Sequence, residues 1–248
     1  MDLGLKGLKA LVTGSTAGIG AAIAETLARE GCDVAICSRS QDKVDGMLRN
    51  LAGYGGRYVG RAVDVTDAEA FRAWVADATE QLGGLDIYVA NVSAMSTDWR
   101  QTVDTDILAT VSGIEAALPH LQQSQNASIV YISSIAGTVG VPQLAPYGAA
   151  KAAMTHYMKS LAVKLVKKGV RVNTVAPGDI LFEGGVWDRA RKENPDYFAK
   201  VLKRNPMGRL GTPQEIANVV AFLASPAASF VTGAHVVADG GNTTHVQR

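Results

Sequence analysis

The 248-residue chain has only two cysteines, four histidines and an aromatic share of 6%, and neither sign of charge prevails, with 24 Lys and Arg against 23 Asp and Glu. Each shortage closes off a class of function. Cys32 and Cys37 fall in or beside one apolar run with no Cys-x-x-Cys or Cys/His spacing. That argues against a zinc site and a redox pair; buried free thiols in a reducing compartment are expected, and no metal. A formal net charge of +1 gives no electrostatic reason for nucleic acid or an anionic membrane as partner. No apolar run approaches a membrane span, and the opening MDLGLKGLKALVTGS lacks a charged segment followed by a long apolar one. The expectation is a soluble, cytoplasmic protein whose partner is a small molecule. Fixed-period repeats and low-complexity tracts are missing too.

What is there is an alternation. Short runs rich in Val, Ile and Ala recur at 8–14, 33–39, 57–65, 85–93, 128–134, 170–178 and 234–241, each but the last followed by a longer stretch. Near-continuous apolar strands imply burial on both faces, as in a parallel sheet covered by helices. Between the runs, Ile19, Ile23 and Leu27 space out one helix and Phe71, Trp74, Val75 and Ala78 another. Gly31 and Gly169 stand where helices should stop, the latter after Lys167 and Lys168, cations suited to a helix C-terminus. The simplest architecture is α/β: one doubly wound Rossmann domain over residues 1–248, with a seven-stranded, mostly parallel sheet. Only 179–211 breaks the rhythm. That segment holds aromatics, charges and two prolines but no strand, and it follows a strand's carboxyl end, where ligands bind in such sheets. It reads as a substrate-covering loop with short helices.

TGSTAGIG, Thr13 to Gly20, joins the first strand to the first helix. Gly14 suits a tight turn, Gly18 a close approach of backbone to a pyrophosphate, and Gly20 close packing of helix on strand, with phosphate at the helix N-terminus. Gly14, Ser15, Thr16, Gly18, Ile19 and Gly20 are therefore candidate dinucleotide contacts. The second strand ends in Cys-Ser-Arg rather than in an acid that would bind both ribose hydroxyls of NAD. Arg39 instead suits the 2′-phosphate of NADP, so NADP(H) is favoured and NAD(H) stays open.

YGAAK places Tyr147 and Lys151 four residues apart on the helix after the fifth strand, hence on one face. An ammonium beside a phenol favours phenolate and makes an acid/base pair of the two. Ser134, at the fifth strand's end, emerges at the same edge and can donate to a substrate oxygen. In VDTDILATV, residues 103–111, an acid sits among apolar neighbours. Read at ~100° per residue, Val103, Ile107, Val111, Ile114, Leu118 and Leu121 make one apolar stripe with Asp106 on its shoulder. By position alone Asp106 reads as a half-solvated acid near a helix start.

TGSTAGIG, DVTD (64–67), ISS, YGAAK, RVNTVAPG and the tail FLASPAASFVTGAHVVADGG together resemble the short-chain dehydrogenase/reductase superfamily over nearly the full chain. The resemblance implies hydride transfer between nicotinamide and a ketone or secondary alcohol. Tyr147 would be the general acid/base, Ser134 would hold the substrate oxygen, and Lys151 would bind the nicotinamide ribose and tune Tyr147, with Ser133 the less fitting hydroxyl. Asp64 and Val65 would contact adenine, Asn91 the adenine-side ribose region, and Ile180, after Pro177 and Gly178, the nicotinamide carboxamide. Homo-oligomers, tetramer or dimer, would form through the fourth and fifth helices and the last strand.

Three positions depart from the family's pattern. Asp106 stands where a catalytic Asn is usual, a residue whose backbone carbonyl is thought to hold a water of a proton relay from Lys151. A carboxylate there can pair with Lys151 or with that water. Ser93 replaces a Gly, and Phe182 replaces a Thr that often meets the cofactor. Ser93, Met95, Phe182, Trp187 and Tyr197 are candidate pocket walls. Other readings are a non-catalytic dinucleotide-binding sensor or scaffold and, within the enzyme class, a 3-oxoacyl-[acyl-carrier-protein] reductase rather than a small-molecule ketoreductase or alcohol dehydrogenase. Lys200, Lys203 and Arg204 would serve a carrier-protein dock, though such a cluster also suits a solvated face. His156 reads as a packed or surface residue.

Overall fold

A computed structural model describes residues 2–244. Seven strands, β1 Lys9–Thr13, β2 Asp33–Ser38, β3 Tyr58–Ala62, β4 Ile87–Ala90, β5 Ser128–Ile132, β6 Arg171–Pro177 and β7 His235–Ala238, form one sheet in the order β3-β2-β1-β4-β5-β6-β7. Every pairing is parallel. The seven apolar runs are all strands, each trimmed at one or both ends where the chain leaves the sheet to build loops.

Alternating side chains divide the strands between two cores. Leu11, Ala35, Tyr88, Ile129 and Val172 face one side, and Val12, Ile36, Val89, Val130 and Val175 the other, all buried. The first core is covered by α3 (Ala68–Leu82), α5 (Ala109–Leu121) and α6 (Ala145–Leu165); the second by α1 (Gly18–Arg29), α2 (Gln41–Leu51) and α9 (Pro213–Ala224). On α3 the predicted face of Phe71, Trp74, Val75 and Ala78 is the buried one. Gly31 and Gly169 follow their helices at φ +87° and +75°, the left-handed conformation that ends a helix. Cys32 and Cys37 are buried thiols, and burial pushes both up to about 12.

The stretch before α5 differs from the expected uniform helix. A short α4 (Trp99–Thr102), capped by the Asp98 side chain, runs into a π-helical turn, Val103–Leu108, before α5 begins. The buried face here is Thr102, Asp106, Ala109, Thr110, Gly113, Ile114, Ala117 and Leu121, while Val103, Ile107, Val111 and Leu118 are half-buried. Ile114 and Leu121 of the predicted stripe thus point inward, with small residues between them that let the helix approach the sheet, and the other large apolar residues flank that face. Asp106 lies fully inside and not on a solvated shoulder.

The 179–211 segment leaves β6 and returns, pinched at its base by a parallel bridge between Ile180 and Gly211. Within it α7 (Val186–Glu193) and α8 (Pro195–Arg204) pack as a small unit on Phe198, Val201 and Leu210. β1 pairs with β2 on one side and β4 on the other, so chain order reverses there and leaves a crevice at the strands' carboxyl ends.

Gly113 marks the tightest helix contact of the first core: a Cβ there would lie 2.1 Å from the Tyr88 hydroxyl and 2.6 Å from the Phe71 ring. Gly113→Ala is expected to destabilise the fold by about 1–3 kcal/mol, the usual cost of overpacking, as read from the urea unfolding midpoint.

Candidate functional site

The glycine turn is shaped by its backbone. Gly14 and Gly18 have φ of +62° and +53°, and a Cβ on Gly20 would fall 2.2 Å from the Gly14 carbonyl oxygen. The Asn91 amide donates to the carbonyls of Thr13 and Gly14 (3.0 and 3.1 Å), tying the turn to the end of β4. Ser15 is fully buried; its hydroxyl donates to Val12 O at 2.7 Å and accepts from Cys37 N at 3.1 Å, so the side chain knits β1 to β2. Thr16 is half-buried and the first turn of α1 has no side-chain cap, leaving its N–H groups, Ile19 and Gly20 among them, at the crevice. The residues fit a dinucleotide diphosphate. Phe182 meets the turn from the 179–211 side: its ring atoms stand 2.7 to 3.1 Å from where a Gly18 Cβ would be.

Beyond β2, Arg39 is exposed and its charge helps lower the Asp64 pKa, behind two hydrogen bonds from Thr66. Val65, the other predicted adenine contact, is buried behind Asp64.

A cavity of ≈ 670 Å³ opens at the carboxyl edge. Its lining brings together Ile19, Asn91, Ser93, Met95, Ser134, Tyr147, Lys151, Pro177, Gly178, Ile180, Phe182, Trp187 and Tyr197, all of them singled out from the sequence. Trp187 and Tyr197 stack with centroids 6.1 Å apart. Met95 adopts φ +48°, unusual for a residue with a side chain, and is exposed. Ser133 also borders the cavity, with its hydroxyl 2.8 Å from the Thr155 hydroxyl. His156 is on the surface.

Ser134 begins a single turn after β5, its hydroxyl accepting from Ala136 N at 3.1 Å, and lines the cavity beside Tyr147. Burial raises the Tyr147 pKa above a phenol's ordinary value; Ser134 opposes the shift and the Asp106 charge adds to it. Lys151 is 2% exposed. Its Nζ donates to Ile132 O at 3.0 Å, lies 3.4 Å from Asp106 Oδ1, and stands 5.0 and 5.6 Å from the ring centroids of Tyr131 and Tyr147. Burial lowers the ammonium's pKa and Asp106 works against that. The Asp106 carboxylate also accepts from the Ser93 hydroxyl, 2.5 Å from Oδ1, and from Ala94 N, 2.9 Å from Oδ2.

Tyr131, Ile132 O and the Ala94 N–H complete this cluster and were not legible as site groups. Their strand and loop spacing carried no polar pattern. Ser93, expected at the pocket wall, does line it, yet its hydroxyl is spent on Asp106.

A family model described as enoyl-(acyl carrier protein) reductase matches residues 14–243. The chain is 38% identical over 250 residues, 97% of its length and 96% of the relative's, to the isoepoxydon dehydrogenase patN of Penicillium expansum. It belongs to the short-chain dehydrogenase/reductase family. Two solved family structures superpose closely. A 7α-hydroxysteroid dehydrogenase complexed with NADH and 7-oxo glycochenodeoxycholic acid has a TM-score of 0.90 at 30% identity, covering 97% of this chain and 96% of that one. The L-sorbose reductase of Gluconobacter frateurii, complexed with NADPH and L-sorbose, has a TM-score of 0.91 at 29% identity, covering 99% and 100%. This dehydrogenase/reductase is thus an enzyme of alcohol and carbonyl groups that uses a nicotinamide cofactor. Among the described residues no cluster of His, Cys, Asp and Glu is placed to hold a metal, and no helix is long and apolar enough to cross a membrane.

Lys151→Met removes one half of a buried ion pair and strands the other. It is expected to cost about 3–5 kcal/mol of unfolding free energy, and Lys151→Met combined with Asp106→Asn, which keeps acceptors and donors but no charge, to recover part of that loss. Denaturant titration of the two variants side by side checks this.

Proposed function

We propose that the protein is an NADP(H)-dependent oxidoreductase interconverting a ketone and a secondary alcohol, with Tyr147 as general acid/base, Ser134 holding the substrate oxygen and Lys151 holding the nicotinamide ribose. The observation that carries this reading is the convergence of Ser134, Tyr147 and Lys151 on one wall of a cavity that also reaches the glycine turn. The nicotinamide, when bound, supplies or accepts the hydride at the carbinol carbon. Tyr147 gives its phenolic proton to the carbonyl oxygen in reduction and takes it back in oxidation, and the Ser134 hydroxyl donates to that same oxygen as charge builds on it. Asp106, against Lys151, lies on the path by which a proton would return to Tyr147.

Gly14, Gly18, Ile19 and Gly20 would hold the diphosphate through backbone, with Thr16 beside them and Ser15 acting from within. The Phe182 ring would turn aside from Gly18 to admit it. Asp64, Val65 and Asn91 would border the adenosine, and Pro177, Gly178 and Ile180 the nicotinamide. Arg39, exposed beyond β2, favours NADP(H) over NAD(H).

The walls speak for substrate class. Met95, Val141, Leu144, Phe182 and Trp187 are apolar, and the two cations of the lining are already engaged, Lys151 by Asp106 and Arg204 by Asp179 at 3.1 Å. A neutral, largely apolar small molecule fits better than an anionic or carrier-bound one. The 179–211 segment would cover it, and Lys200 and Lys203 would stay on the solvent side. Copies would pair as a dimer or tetramer over the apolar flanks of α5 and α6, where Val163 is 70% exposed, in the cytoplasm.

Screening ketones and secondary alcohols with NADPH, NADH and their oxidised forms is expected to find turnover that Tyr147→Phe lowers by about 10²- to 10⁴-fold with NADPH binding kept. Full turnover in that variant would overturn the assignment. Because burial raises the Tyr147 pKa, the phenol is protonated at neutral pH. Reduction should therefore hold through neutrality and fall as pH rises through that raised value, while oxidation gains over the same range. Arg39→Ala should raise the KM for NADPH about tenfold and leave that for NADH unchanged, since one charge-assisted contact is lost; equal effects on both would remove Arg39 from cofactor choice.

A further inference from the structure

The Ser93 hydroxyl donates to the same carboxylate oxygen of Asp106 that faces the Lys151 ammonium, and Ala94 N donates to the other. Both carboxylate oxygens are thereby fixed. These contacts come from the loop after β4, whereas Lys151 comes from α6 and Asp106 from the π-helical turn, so one carboxylate ties three separately folded segments together.

We propose that Ser93 and Asp106 form one positioning unit, a carboxylate clamp that holds the Lys151 side chain in place, so that neither residue works fully without the other. The inference rests on the reading of Tyr147 and Lys151 given above. A fully buried carboxylate needs donors to stay charged, and the ammonium supplies only one side of it. Without the Ser93 donor, Oδ1 of Asp106 keeps only the Lys151 ammonium at 3.4 Å, and the carboxylate is less firmly fixed against it. Without the charge, Ser93 has nothing to hold, and Lys151 loses the group that opposes its deprotonation. The titratable groups facing this ammonium are Asp106 from the π-helical turn, Tyr131 from β5 and Tyr147 from its own helix. Of the charged groups on the other elements packed against α6, Arg100 of α4 is exposed and Arg171 of β6 is bound to the carbonyls of Leu223, Ala224 and Ser225. Asp104, two residues before Asp106, is half-buried, and Lys167 and Lys168 are exposed beyond the helix's far end.

The test is a double-mutant cycle of Ser93→Ala, Asp106→Asn and the pair, on the full chain, read three ways: kcat/KM for ketone reduction against pH, NADPH dissociation constant, and melting temperature without cofactor. The expected result is that the pair loses about tenfold less than the product of the single losses. In Asp106→Asn the alkaline limb of the reduction profile should move to lower pH, because the ammonium and the phenol both lose the charge that holds their protons. Ser93→Ala should move it the same way by less. Multiplicative losses, or a Ser93→Ala profile identical to that of the parent protein, would overturn the clamp. Ser93→Gly, which restores the residue usual in the family, serves if the alanine variant does not fold, and the same two outcomes decide. Should Tyr147→Phe retain full turnover, the catalytic reading falls first, and additivity or coupling in the melting temperatures still decides whether Ser93 and Asp106 act as one.

Discussion

A buried ammonium must find a counter-charge, and the Lys151–Asp106 pair is where this fold meets that requirement. Taking both ions out of water costs more than their attraction alone returns, so such pairs persist only when the remaining valences are filled. Here Ile132 O takes one proton of Lys151, and Ser93 and Ala94 N donate to the two oxygens of Asp106. The result is a lysine held in place next to the Tyr147 phenol that lines the cavity. Positioning, more than stability, is what such an arrangement provides.

The sheet makes the arrangement possible. Parallel strands bring every carboxyl end to one edge, so β4, β5 and β6 deliver Asn91, Ser134 and Gly178 side by side although the chain between them is long. Helix α6 then lays Tyr147 and Lys151 across that edge on one face. The π-helical turn adds a local adjustment: widening the helix there, with Ala109 N bonded to Asp104 O five residues back, aims Asp106 inward at the level of Lys151. A regular helix entering α5 would present a different residue at that height.

Much of this was legible in the residues. The apolar runs marked all seven strands because burial on both faces leaves no polar alternation to confuse the count. The Tyr147 and Lys151 spacing placed them on one face because four residues nearly close a helical turn. The inward face of α5 was not legible in the same way. Counting large apolar side chains selected Ile114 and Leu121, which are buried, but also Val103, Ile107, Val111 and Leu118, which flank the inward face, and missed Ala109, Gly113 and Ala117, residues with little hydrophobic weight and the right size. The part Ser15 plays in the turn was hidden for a related reason. A serine in a phosphate turn and a serine bridging two strands look alike until the strand pairing is known.

Phe182 shows how a single side chain joins the two halves of the site. A ring resting on Gly18 and Gly185 makes both glycines necessary for reasons of space quite apart from any phosphate. It also places an apolar surface at the junction between the glycine turn and the cavity, on the segment that the Ile180–Gly211 bridge pinches at its base. Movement of that segment therefore carries the ring with it. Access to the turn and the shape of the pocket are set by the same few residues, so a change in the 179–211 segment alters what binds at both ends of the crevice.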